Sequence, residues 1–209
     1  RFFVGDTKKT VSHSIPSRRA GIDAAKTTVE NKKHWAETDS LSPTAQLTPG
    51  VRNTLRNRAK YEVQNNSHAA GLIRTLVGDT VGTGPRLQMM TEDDELNTAL
   101  EEMWLLWCSA TNIDLKFRIM AGMRYIAGES FAVFRDSKRL DSLGIPVTLD
   151  IRLIDPAQVT DPFAFQMNER NDDGVVVDED GEVVSYQVLK YHPGSNAGYM
   201  NFRETQSIP

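Results

Sequence analysis

The sequence predicts an α+β fold: N-terminal helices followed by a mainly antiparallel β region. Three observations predict it. Between residues 49 and 127 the apolar residues recur at spacings of three and four, as on one side of a helix. Beyond Gly128 they recur at every second position. The two regimes follow one another instead of alternating, which argues against a parallel βαβ sheet.

Residues 1–48 are polar and interrupted by Pro16 and Pro43, and they are expected to form an extended, poorly ordered arm. A short helix over 21–35, with Ile22, Ala25, Val29 and Trp35 on one side, is the only element expected there. Residues 49–209 are expected to form the α+β domain. Its first helix starts with Thr48 as N-cap and Pro49 at the first helical position, where the missing N–H costs nothing. It runs to Gln64, with Val51, Leu55, Ala59 and Val63 as the apolar side and Arg52, Arg56, Arg58 and Lys60 over much of the rest.

Asn65 and Asn66 break that helix. Asn66 or Ser67 then caps a second one to Val77, carrying Ala69, Ala70, Ile73, Leu76 and Val77. Gly78, Gly82, Gly84 and Pro85 punctuate its end, and Arg86–Met89 reads as a short strand. The clearest helix spans Glu92–Ser109. Leu96, Leu100, Met103, Trp104 and Trp107 form its apolar stripe, and acids crowd its first turn, where the helix dipole favours them. A further helix over 114–127 carries Leu115, Ile119, Met123 and Ile126 and ends at Gly128.

Strands follow. Residues 130–135 alternate, as do Leu149, Ile151 and Leu153, and Asp155-Pro156 closes the second strand. Val175–Val177 and Val183–Leu189 flank Asp178-Glu179-Asp180-Gly181, a hairpin turn in which Gly181 supplies the positive φ.

Bulk composition excludes several classes. With 39% apolar residues the chain has enough to build a core, and a net charge of −4 gives no general attraction to nucleic acid or anionic lipid. The single Cys108 cannot form an internal disulfide and fits a reducing compartment. No apolar run approaches the about 18 residues that span a bilayer, and no secretory signal opens the chain, so no membrane association is expected. The chain opens on Arg1 and stops at Pro209, and it reads as a piece of a longer one.

Chemical motifs fail one after another. The glycines of VGDTVGTG follow a helix, lack a lysine and lead into an extended segment, the wrong context for a phosphate loop. The acidic turn fails as a calcium loop, since Val176 and Gln187 fall where the first and twelfth ligands belong. The four histidines are scattered, so neither a metal nor a cofactor is expected. Cys108 has no basic neighbour in its helix and reads as a buried structural thiol.

Five residues stand out as structural or subunit-contact candidates and none as catalytic. Glu129 lies just past a helix C-terminus, where the dipole disfavours a carboxylate; it reads either as a solvated helix-end acid or as one with a compensating partner such as an arginine. Arg56 and Arg58 are expected to pair with carboxylates of this chain or a neighbour. Trp104 and Trp107 read as core from their stripe, with an interface as the other possibility.

The block LRNRAKYEVQNNSHAAGLIRTLVGDTVGTGPRL, residues 55–87, resembles the N-terminal part of the lambda-type bacteriophage portal proteins. That family has an LRxRAR helix, an NN break, a small-residue helix and VGTGxxL. The matching residues are Leu55, Arg56, Arg58, Ala59, Asn65, Asn66, Ala69, Ala70, Gly71, Val81, Gly82, Thr83, Gly84 and Leu87. Further on, Asn97, Glu101, Trp104 and Trp107 resemble the family's tryptophan helix, and Gly128-Glu129-Ser130-Phe131 its entry into a strand. Leu153–Ala157, the hairpin from Gly174 to Tyr186 and His192-Pro193-Gly194 follow in the family's order. Glu182-Val183 replaces the hairpin's usual Arg-Pro and Val176-Val177 its Ile-Glu, both tolerable on a strand or surface.

The resemblance implies the wing region of a ring-forming structural protein, not an enzyme, of a tailed phage or prophage, with stem helices beyond Pro209. The ring would be the portal vertex of the capsid, assembled in the host bacterial cytoplasm, and would pass double-stranded DNA at packaging and ejection. Its implied partners are further copies of itself, the terminase large subunit, the major capsid or scaffold protein, and the head-completion and tail proteins. Two other readings compete. One is a non-portal DNA-binding adaptor using the Arg52–Lys60 helix; the other is an enzyme of unrecognised class with polar groups around Glu129.

Overall fold

The computed structural model describes residues 27–161, 171–195 and 205–208. The chain divides into two compact units, Arg1–Ser42 and Pro43–Pro209. In the first, the chain from Val29 to Glu37 is a run of turns, tied by backbone bonds such as Lys32 N to Thr28 O at 3.0 Å. Of the helix expected over 21–35, residues 21–26 lie outside the described residues and 29–35 are turn. A short helix, α1 (Pro43–Gln46), opens the second unit.

Four longer helices follow in the second unit: α2 (Pro49–Asn65), α3 (Ser67–Val81), α4 (Asp94–Thr111) and α5 (Ile113–Ala127). Their ends show why the breaks fall where they do. Thr48 precedes α2 but makes no side-chain cap bond, contrary to expectation. Asn66 does cap α3, its side chain accepting from His68 N and Ala69 N. Asp93 accepts from Leu96 N at 3.0 Å to start α4. Asn112 (φ 52°) turns α4 directly into α5, and Gly128 (φ 85°) ends α5 in the left-handed conformation glycine favours.

The segment 86–89 is not the strand the sequence suggests and pairs with no strand among the described residues. Side chains of α4 take its backbone groups instead. Glu101 Oε1 accepts from Met89 N at 2.8 Å, and Trp104 Nε1 donates to Pro85 O at 3.4 Å.

Two antiparallel sheets complete the unit. β1 (Phe131–Asp136) pairs with β2 (Leu149–Ile154) in a register running from Phe131↔Ile154 to Asp136↔Leu149. Their connection carries a short helix, α6 (Lys138–Ser142), which the sequence reading missed. The second sheet has the order β3 (Asn171–Asp172), β4 (Val175–Val177), β5 (Val183–Leu189) and β6 (Thr205–Ile208). The β4–β5 turn is built as expected: Gly181 has φ 85°, and the Asp178 carboxylate accepts from Asp180 N and Glu182 N, both at 2.9 Å.

The core lies with the strands. Ile154, Val159 and Val188 form its centre, packed by Phe131, Val133, Tyr186 and Ile208. Leu140, Ile145, Ile113 and Ile151 are buried elsewhere. The helices are less covered than their stripes predict. Leu96 and Met103 on α4, Leu115 and Ile119 on α5, and Val51 and Leu55 on α2 are exposed, whereas α2 buries Arg56. Helical periodicity showed that each helix has an apolar side; it could not show how much of that side this chain itself covers.

Candidate functional site

The basic residues of α2 explain its unusual burial. Arg52, Arg56 and Lys60 are four residues apart and so form one ridge. Each meets a carboxylate from a different part of the chain. Arg52 Nη2 lies 3.4 Å from Asp172 and 3.5 Å from Asp173, in the β3–β4 hairpin. The Arg56 guanidinium, only 6% exposed, donates to Glu129 just past α5. Lys60 Nζ lies 3.6 Å from Asp155, beyond β2. The ridge thereby joins α2 to three elements at once.

Glu129 and Arg56, singled out separately in the sequence, are therefore partners of each other. The arginine supplies a direct cationic partner for a carboxylate placed at the C-terminal end of α5, where the dipole disfavours it. Arg58 behaves differently: it is exposed and makes no ion pair among the described residues. Beside the ridge runs a groove of about 660 Å³, lined by Leu47, Leu55, Ala59, Ile126, Arg56 and Glu129 among others. The Nε–H groups of Arg52 and Arg56 are buried without an acceptor, so the ion pairs leave donors unsatisfied.

Trp104 and Trp107 are half-buried and not enclosed as core residues. Their rings lie 5.2 Å apart at a 33° tilt. They line a groove of about 270 Å³ with Leu87, Leu100, Pro146 and Val147. Each indole N–H is satisfied, Trp107 donating to Leu149 O at 2.8 Å and Trp104 to Pro85 O. Burial of the apolar ring beside an exposed helix edge fits a contact surface as well as internal packing.

One cluster escaped the sequence reading. Asp150 on β2 is 2% exposed, and its carboxylate takes the Lys116 ammonium from α5 and Arg135 Nη2 from β1 at 3.0 Å. Ile151 N also donates to it, at 2.8 Å. Burial pushes the Asp150 carboxyl up, but the bonds from Lys116, Arg135 and Ile151 outweigh it and hold the group below the ordinary carboxylate range. No spacing could have signalled this cluster, because its members lie 34 and 15 residues apart.

Other chemistry finds little support in the geometry. Burial, and then the nearby Asp114, push the Cys108 thiol up, which disfavours the thiolate a nucleophile needs. Among the described residues no group of three or more His, Cys, Asp or Glu side chains could hold a metal ion. Three of the four cations of the Arg52–Lys60 helix are engaged by carboxylates, which takes them from the DNA-binding reading. No described helix is long and apolar enough to cross a membrane.

A family model described as phage portal protein, lambda family, matches residues 30–209. A search of curated proteins finds none that matches the chain.

Proposed function

From the premise that the chain belongs to the lambda family of phage portal proteins, a structural family, we propose that it is a subunit of a ring at the portal vertex of a tailed phage or prophage capsid. The family match over residues 30–209 carries the reading. In this role the protein is a channel component and not an enzyme. Double-stranded DNA enters through the ring at packaging and leaves through it at ejection. The ring docks the terminase large subunit during packaging, the head-completion and tail proteins afterwards, and the major capsid or scaffold protein around its wing. It assembles in the host bacterial cytoplasm and ends in the virion.

The α+β unit built from Pro43 onward is the wing in this reading. Its helices support it, because they carry more exposed apolar surface than a solitary domain needs. The alternative adaptor reading has no support, since three of the four cations of its basic helix are spent on internal ion pairs.

Electron microscopy and light scattering of the intact protein test the proposal. Closed rings with a central opening are expected; a protein that stays single at every concentration overturns it. The genes on either side offer an independent check, for they are expected to encode a large terminase subunit and a head protease or major capsid protein.

A further inference from the structure

Charge is segregated among the helices. From Glu92 to the end of α4 at Thr111 there are six acidic residues, Glu92, Asp93, Asp94, Glu95, Glu101 and Glu102, and no basic one. On α2, α3 and α5 eight bases, Arg52, Arg56, Arg58, Lys60, Arg74, Lys116, Arg118 and Arg124, face three acids, Glu62, Asp79 and Asp114. Yet among the described residues none of the acids of α4 makes an ion pair.

Two exposed stripes follow from helical spacing. On α4, Glu95, Ala99, Glu102 and Leu106 fall at i, i+4, i+7 and i+11 and are all exposed, with Met103 alongside. Leu106 is 52% and Met103 41% exposed. On α2, Val51, Leu55, Arg58 and Glu62 fall at the same spacing, Val51 42% and Leu55 50% exposed. Glu62 lies 3.5 Å from Asn66 Nδ2, which leaves Arg58 as the charge of this stripe without a partner. One stripe is apolar with two acids that make no ion pair among the described residues; the other is apolar with Arg58 as its unpaired base and Glu62 one turn further on.

We propose that the Val51–Leu55–Arg58 stripe of α2 on one copy packs on the Glu95–Glu102–Leu106 stripe of α4 on the next. This rests on the ring reading above and names the faces that make the ring. The occupant is a second copy because both halves of the match are on this chain. The two faces belong to different helices, so each copy presents one of each. Such a head-to-tail contact repeats and closes when the rotation allows. Leucine and valine supply the buried apolar area, and Arg58 against Glu102 or Glu95 sets register and rejects misdocked neighbours.

The test uses the intact protein, with native mass spectrometry and sedimentation velocity over a range of concentrations. Arg58→Glu and Glu102→Arg each are expected to raise the concentration for half-assembly by about tenfold or more, with melting curves unchanged. The double variant, and an equimolar mixture of the two single variants, are expected to restore assembly. Should a reversal disturb the fold, Arg58→Gln and Glu102→Gln are expected to weaken assembly in the same direction, by less. Rings that form from either reversed variant at the wild-type concentration overturn this pairing and leave the portal reading standing. So does a double variant that fails to recover. A wild type that never assembles overturns both.

Discussion

At the scale of single residues, the fold rests on charges that lie inside or beneath it. Asp150 is nearly dry, while its partners Lys116 and Arg135 are 20% and 53% exposed, so removing its charge leaves two partly solvated cations without their carboxylate. Asp150→Asn is expected to destabilise the unit by roughly 1.5–3 kcal/mol, the range for hydrogen bonds to a charged group, read from chemical denaturation. The effect has a sign in pH. The folded carboxyl titrates below its unfolded value of about 3.9, so its contribution is full above that value and is lost as pH falls through the folded one. The gap in stability between wild type and Asp150→Asn should stay constant above about pH 5 and shrink below about pH 4. A gap that widened on acidification would contradict the ion cluster. Arg56 and Arg58, two residues apart, should part company in the same kind of measurement. Arg56→Glu sets a carboxylate against Glu129 beneath the helix and is expected to cost about 3–5 kcal/mol. Arg58→Glu should leave the melting curve unchanged. Neither should alter any DNA affinity of the protein or its salt slope; a slope reduced by about 0.9 per residue would show phosphate contacts instead.

At the scale of elements, α4 is the least settled helix in the unit. Its stripe of Leu96, Leu100, Met103, Trp104 and Trp107 predicts a buried side, but the two tryptophans are half-buried and Leu96 and Met103 are exposed. Emptying a core tryptophan costs about 3–5 kcal/mol; for a ring buried by half, Trp104→Ala is expected to cost about 2 kcal/mol. Thermal melting gives the stability and scattering gives the assembly. If the substitution left melting untouched while abolishing rings, the tryptophan would belong to the contact surface alone. The β3–β4 hairpin teaches the opposite lesson. Asp173-Gly174 is a strong hairpin signal that the sequence reading passed over. Both residues have positive φ, 49° and 92°, and a Cβ on Gly174 would come within 2.7 Å of the Thr160 backbone nitrogen. Close approach as well as the turn requires glycine there.

At the scale of the whole molecule, the segregation of charge gives assembly a dependence on salt. If the acids of α4 meet Arg58 of α2 across copies, raising salt from about 0.05 to 0.5 M shortens the screening length and should slow association. Dissociation, governed by the apolar contacts, should change much less. Stopped-flow light scattering on the intact protein separates the two rates. An association rate indifferent to salt would count against a charge-guided contact. The ion pairs inside the unit should be less affected, because buried pairs are screened less than exposed ones.

The sequence by itself determined the succession of helices and strands, most of their boundaries, and the family. Those features are local: asparagine caps, helix-ending glycine, the Asp178–Gly181 turn and the spacing of apolar residues each act within a few positions. It also marked Arg56 and Glu129 as candidates for opposite-charge partners, because a helix terminus and a net acidic chain favour such pairing without naming the partner. Tertiary structure alone decided that the two meet, that Arg58 stays outside, and that Asp150 gathers Lys116 and Arg135. It alone turned α2 so that an arginine is buried and Leu55 is exposed. The periodic pattern of a helix gives the direction of its apolar side, but burial depends on which surfaces arrive from residues far along the chain. Where those surfaces are too few, as along α4, apolar residues such as Leu96, Met103 and Leu106 stay uncovered.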